Sequence, residues 1–189
     1  MTTRPPRPET PRLLPVTDPT PEQREVLERA GTRPGGRPLN IFGTMVHNRR
    51  VADRVVRLGG AFLGKGTLPE REREVVILRV GHRASAAYEF GQHVIIGRRV
   101  GLTDDEIAAL ASDDSGHSWS DDDRALIAMV DELCADDCVG DATWKALAER
   151  WSEEQLVELL FLAGYYRMIS GFLNSAGVAL DEGVSGFPD

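Results

Sequence analysis

The chain has 189 residues, a formal net charge of −8 and a pI near 5.1, which suits one domain with a hydrophobic core and argues against a polyanionic partner. Lysine occurs only at Lys65 and Lys145, and no basic stretch is interleaved with aromatics, so a nucleic-acid partner is not expected. There is no run of about 18 apolar residues and no charged-then-apolar leader, so the sequence reads as a soluble cytoplasmic protein without a membrane partner.

Pro5, Pro6, Pro8, Pro11, Pro15 and Pro19 make residues 1–20 a disordered lead or a strap across the body. Thr20 then caps a short helix with Pro21 at its first position, and Gly31 stops it. After a loop to Pro38, Asn40 can cap a helix that includes Ile41, Phe42, Met45 and Val46. From Arg50 to Phe62, apolar residues at three-to-four spacing predict an amphipathic helix, broken by Gly64 and Gly66.

Two helices are predicted next, from about Pro69 to Gly81 and from about Ala84 to Val100. Thr67 with Glu70 reads as a capping box for the first. Its run Val75, Val76, Ile77, Leu78 and Val80 looks strand-like in isolation, but the proline and the RERE stretch belong to a helix start, so it predicts a helix buried on most sides. Thr103 with Glu106 opens a short helix, residues 112–122 form a polar loop, and Ser120 or Asp121 starts a helix that ends by Gly140. Another follows around Trp144, and Ser152 with Gln155 opens a last long helix that runs to about Gly177. Gly164 and Gly171 inside it imply close packing or a break. The sum is an all-α fold of about seven to nine helices.

The dense apolar stretch from Arg71 to Gly101 also holds Glu74, His82, Glu89 and His93. Glu89 and His93 lie four apart and share a helix face, and Glu74 comes alongside if the two helices pack together. Acids and imidazole set among Val, Ile and Leu are costly unless hydrogen-bonded or used. Three uses fit: proton transfer by Glu74, Glu89 and His93, a divalent ion held by those three, or a purely structural polar network. No metal is required by the pattern, and no cofactor is implied. Candidate substrate contacts are His47, Tyr88, Arg79, Arg83 and Tyr166, each with a plainer use in packing or ion pairing. His82 reads as a cap at a helix end and His117 as solvent-exposed. Cys134 and Cys138, in CADDC, match neither a redox pair nor a zinc pair and read as free thiols.

The segments EREREVVILRVG and AAYEFGQHVIIGRRVGLTDDEI, with NIFGTMVHN before them and FLAGYYRMISGFLNSAGV after, resemble the carboxymuconolactone decarboxylase family, which includes the alkylhydroperoxidase D-like proteins. The resemblance implies an all-helical domain over residues 38–178, with a proline-rich extension at 1–37 and a tail at 179–189, and a homo-oligomer acting on a small molecule. Glu74 and His93 match the family's relay glutamate and histidine. The redox cysteines of the peroxidase branch fall at Ala86 and Glu89, so that dithiol is absent. The resemblance therefore implies a decarboxylase-like acid–base enzyme acting on a small carboxylated or enolisable cyclic compound, with His93 as acid/base, Glu89 as its partner and Glu74 across the helix interface. An atypical oxidoreductase with a metal or unusual thiol, and a non-catalytic ligand-binding or structural oligomer, are the alternatives.

Overall fold

The computed structural model describes residues 5–31, 36–113 and 116–188. Expectations for 1–4, for 32–35 in the loop after the first helix and for 114–115 in the polar loop fall outside these residues. The helices are α1 (Pro21–Ala30), α2 (Asn40–Met45), α3 (Arg49–Lys65), α4 (Glu70–Arg83), α5 (Ala87–Arg99), α6 (Asp104–Leu110), α7 (Asp121–Asp136), α8 (Asp141–Arg150) and α9 (Glu153–Ala176). A 3₁₀ turn at Val46–Asn48 joins α2 to α3, and no β-strand occurs among the described residues. The expected all-α fold is thus the fold observed.

Helix α4 sits at the centre. Every residue from Arg73 to Gly81 is buried, as expected for a helix that is apolar on nearly all sides, and α5, α7 and α9 pack around it. One core joins α4 to α6, α7, α8 and the first half of α9, through Leu78, Leu110, Leu126, Met129, Leu147 and Leu159. A second core joins α1, α2 and α3 to the last half of α9, through Val26, Leu27, Met45, Val56, Ile169 and Leu173. α9 thus spans both cores. It is long and apolar enough to cross a membrane by length and composition, a property the run-length reading of the sequence did not register, yet nine of its residues are buried inside the fold.

The capping boxes at Thr20–Gln23, Thr103–Glu106 and Ser152–Gln155 are all formed. The one expected at Thr67–Glu70 is not. α4 begins at Glu70 behind Pro69, and the Thr67 amide and hydroxyl both donate to Glu158 Oε2 at 2.7 Å, which ties this corner to α9 instead. Asn40 is the first residue of α2 rather than its cap, and its side-chain amide donates to the carbonyls of Ala179 and Leu180. α4 continues past Gly81 to Arg83, because the tight turn to α5 is made by Ser85 at φ +50°. The α5 backbone passes close to Gly81, where a methyl would lie in ordinary contact with Phe90, 3.4 Å from its backbone nitrogen.

The ends of the described chain are straps on this body. The amides of Arg12 and Leu13 bond the carbonyl of Ala176, the Val16 amide bonds that of Gly43, and the Arg7 guanidinium donates to the Ala84 carbonyl at 2.7 Å. After α9 the chain crosses α5. Asp181 is 3% exposed and accepts from the Tyr88 hydroxyl, from Gln92 Nε2 at 2.7 Å and from the Asn40 amide at 3.1 Å, and Phe187 packs on Phe90 at 4.8 Å. The strap passes over Gly91 because only a glycine leaves room. A methyl there would collide with the Ser185 carbonyl oxygen and lie 3.0 Å from Val184 Cγ1. Gly91→Ala is therefore expected to lift the strap off α5, costing about 1–3 kcal/mol with the far-ultraviolet spectrum of the helices retained. Hydrogen exchange over residues 180–188 checks it, and unchanged protection there would contradict the clash.

Candidate active site

Glu74 stands on the centre of α4 with no exposed surface, and His93 stands one helix away on α5. The packing of α4 on α5 brings the His93 Nδ1 to 2.6 Å from Glu74 Oε2, while its Nε2 lies 3.1 Å from Glu89 Oε1. Four-residue spacing on α5 sets the second contact. Arg73 Nε, next in the chain to Glu74, donates to Glu74 Oε1 at 3.2 Å, so the buried carboxylate is hydrogen-bonded on both oxygens. The result is one line of groups, Arg73, Glu74, His93 and Glu89. Burial pulls the His93 pKa down, but the charge and hydrogen bond of Glu74, then those of Glu89, more than reverse this and hold it up at about 9. The ring is an imidazolium at neutral pH.

The outer end of this line forms part of the wall of a cavity of about 260 Å³, enclosed by residues of α1, α2, α3, α5 and α9. Ile41, Phe42, Met45, Val56, Leu63, Ile96 and Ile169 make most of the lining apolar. Its polar groups are Glu89, His93, Gln92, the three tyrosines Tyr88, Tyr165 and Tyr166, and Arg29. Glu74 does not reach it. The Tyr166 ring stands edge-on to His93 at 4.9 Å and 85°, fixing the imidazole plane. Burial raises the pKa of the Tyr166 hydroxyl well above 10, so it stays protonated and able to donate. Tyr165 donates to the Val55 carbonyl at 3.0 Å, and a methyl at Gly59 would fall on its hydroxyl. Tyr88 is held protonated by burial and by its hydrogen bond to Asp181.

Of the sequence candidates, Glu89, His93, Tyr88 and Tyr166 meet at the cavity, with Glu74 directly behind. The other three are elsewhere. Arg79 is buried rather than at the surface, and it donates to both oxygens of Asp131 and to the carbonyls of Leu110 and Ser112, clamping α4 to α7 and the end of α6. Arg83 pairs with Asp113 at 2.9 Å on the same side of the molecule. His47 bonds the Leu14 carbonyl at 2.9 Å and anchors the N-terminal strap. None of these three lines the cavity. His82 pairs with Asp113 at 3.0 Å instead of capping a helix end, and His117 is half-buried against the Trp119 ring.

Converging metal ligation does not fit this arrangement. Each carboxylate takes a different nitrogen of the same imidazole, which puts the carboxylates on opposite edges of the ring. Among the described residues no group of three or more His, Cys, Asp or Glu is placed to hold an ion. Cys134 lies on α7 and Cys138 just beyond it, and neither lines the cavity. Arg73, Gln92 and Asp181 were not singled out from the sequence. Arg73 is adjacent to Glu74 in RERE, and Gln92 lies one turn from Tyr88, a spacing that places both on the face met by Asp181. Nothing local marks Asp181 itself.

An all-helical domain with a buried glutamate–histidine contact between its two central helices is the arrangement implied by the sequence resemblance. Residues 49–132, which contain Glu74, Glu89 and His93, match the model of the Carboxymuconolactone decarboxylase family. The match covers less than half of the chain and agrees with the family resemblance read from the sequence. In structure the chain is similar to an uncharacterized peroxidase-related protein from Silicibacter sp. TM1040, with TM-score 0.78 and 15% identity over 93% of this chain and 94% of that one. It is also similar to an uncharacterized peroxidase-related protein with an alkylhydroperoxidase AhpD core from Ralstonia eutropha JMP134, with TM-score 0.73 and 18% identity over 87% of each. A third similar structure is a variant of the debrominase Bmp8 in complex with 2,3,4-tribromopyrrole, with TM-score 0.73 and 16% identity over 90% of this chain and 91% of that one. At these identities the likeness establishes the fold alone. No curated protein matches the sequence.

Because the His93 pKa is raised from 6.5 in the open chain to about 9 in the fold, the imidazolium's contribution to stability is complete below about pH 6.5 and is lost as pH rises through 9. Denaturant titrations between pH 6 and 10 are expected to show a loss on the order of 3 kcal/mol across that window from this group. His93→Gln should flatten this part of the profile. An equally steep profile in the variant would show that the slope arises elsewhere.

Proposed function

We propose that this protein is an acid–base enzyme that moves a proton on a small, uncharged, enolisable cyclic compound. The observation that carries this reading is the His93 imidazolium, held between two glutamates in the wall of an otherwise apolar cavity. Glu89 faces the cavity and, among the described residues, is ion-paired with His93 alone, and it is the base that takes the substrate proton. His93 is kept charged by Glu74, and its Nε2–H, released from Glu89 as that carboxylate takes the substrate proton, supplies the proton or stabilises the oxyanion that develops. The Tyr166 hydroxyl is the second donor available to that oxygen. Glu74 and Arg73 hold the imidazole in place and touch no substrate.

Between the carboxylated and the enolisable substrates that the sequence suggested, the cavity favours the second. A bound carboxylate needs a cation of its own, and Arg29, the only cationic side chain besides His93 among the described lining residues, is already paired with Asp53. A substrate carboxylate would also meet Glu89 at close range, a repulsion that a low-polarity cavity amplifies. Decarboxylation is therefore the weaker form of the family chemistry for this chain. That a debrominase variant of the same fold was solved with 2,3,4-tribromopyrrole supports a small ring compound as a suitable occupant. The thiol alternative has no cysteine among the described lining residues to support it.

Proton transfer can be read without knowing the whole reaction. In deuterium oxide the protein is expected to exchange the acidic carbon-bound hydrogens of small cyclic ketones and lactones, followed by NMR. Glu89→Gln should slow this by about 10²–10⁴-fold, while Cys134→Ser with Cys138→Ser leaves it unchanged. Exchange as fast in the Glu89 variant as in the parent would refute the assignment of the base, and loss of exchange in the cysteine variant would return the thiol reading.

A further inference from the structure

Most polar groups in the cavity wall already have partners. The Tyr88 hydroxyl donates to Asp181 and accepts from the Ile41 amide at 3.2 Å, the Tyr165 hydroxyl donates to the Val55 carbonyl, and Arg29 is paired with Asp53. Glu89 and His93 hold each other. Two polar atoms of the lining make no hydrogen bond among the described residues, the Tyr166 hydroxyl and Gln92 Oε1. Neither is sealed in protein: the fully enclosed side-chain atoms that lack a partner among the described residues belong to Thr44, Arg83, Glu158 and Ser170. Tyr166 is only 3% exposed, so the open space its hydroxyl meets is the cavity. One of the two atoms is a donor and the other an acceptor.

The acceptor is chosen from outside the cavity. A carboxylate only accepts, so the end of the Gln92 carboxamide that meets Asp181 Oδ2 at 2.7 Å is its Nε2. Asp181 is fixed in turn, with the Asn40 amide on its Oδ1 at 3.1 Å and the Tyr88 hydroxyl sharing Oδ2. With its nitrogen spent on the strap, Gln92 has its oxygen to offer an occupant. Glu89 lies three residues before Gln92, so base and acceptor share one face of α5. Tyr166 stands beside them from α9, against the His93 ring.

We propose that the occupant of this cavity carries a hydrogen-bond donor on the ring atom next to its carbonyl, and that Gln92 Oε1 receives it. The N–H of a lactam and the hydroxyl of a cyclic hydroxy ketone both meet this requirement. Asp181 is not part of the lining and touches no occupant; it is the positioning residue that turns the Gln92 oxygen to the cavity. The inference deepens the acid–base reading and rests on it for the other two contacts, the carbonyl at Tyr166 and His93 and the acidic carbon at Glu89. A ring without the donor would enter the mostly apolar cavity and leave the Gln92 oxygen dry and unpaired, so the penalty falls on the wrong compound.

Calorimetric titration of the full chain with two pairs of small rings tests this, each pair differing at the donor: oxindole against 2-indanone, and 2-hydroxy-1-indanone against 1-indanone. In the parent protein at least one donor-bearing ring is expected to bind about tenfold more tightly than its counterpart, and Gln92→Met should bring that pair close to equality. Preference in the first pair names a lactam, and preference in the second a hydroxy ketone. Asp181→Asn, whose amide can donate as well as accept, releases the carboxamide to turn and should narrow the preference with the helical circular dichroism retained. Failure of all four rings to bind, equal binding within both pairs, or a preference undiminished in Gln92→Met overturns the proposal. A preference undiminished in Asp181→Asn overturns the role given to Asp181. Binding is read at equilibrium, so its outcome is separate from the deuterium exchange that tests the base: exchange without preference refutes only the donor, and preference without exchange refutes only the proton transfer.

Discussion

The structure depends on a carboxylate that has been taken wholly out of water. Burying an ionised glutamate in a helical core is among the most expensive things a small domain can do, and it is tolerated only when the charge is met at close range and every oxygen is hydrogen-bonded. Glu74 meets both conditions, with His93 on one oxygen and Arg73 on the other. The first partner comes from the neighbouring helix, so the arrangement fixes how α5 lies on α4. Tyr166 from α9 stands edge-on to the imidazole. Removing His93 takes from the buried Glu74 carboxylate the partner on one of its oxygens, so this one contact organises the packing of three helices.

The same contact explains how the site differs from a simple catalytic pair. An imidazole touched by one carboxylate can act as a base near neutrality, but one touched by two is held charged, which is why the proposed function gives the role of base to the carboxylate that faces the cavity. Position 89 is where the dithiol pattern of related proteins would place sulfur. A carboxylate there keeps the Glu74–His93 contact and, under the proposed function, ends the line in a proton-transferring group.

Much of this was legible in the sequence, for identifiable reasons. Helix starts were clear wherever a hydroxyl residue preceded a Glu or Gln by three positions, as at Thr103 and Ser152, because that pattern satisfies amides locally. It misled at Thr67, where Glu158, 91 residues away, competed for the same donors. Glu74, Glu89 and His93 were found because polar groups inside apolar runs must be paired or used. Arg79 was misjudged for the complementary reason: nothing near it in sequence shows that Asp131 and two carbonyls enclose it, and an arginine without known partners reads as a surface group. His47 and Asp181 are set by the straps at the two ends, whose course over the body no local pattern records.

The strap at Asp181 also bears on how the cavity wall is held. Tyr88 and Gln92 line the cavity, and both are pinned by a residue that lies beyond the last described helix and outside the buried residues of both cores. A chain clipped between α9 and Asp181 would keep the buried residues of both cores while Tyr88 and Gln92 lost their shared acceptor, so it would stay folded with a looser cavity wall.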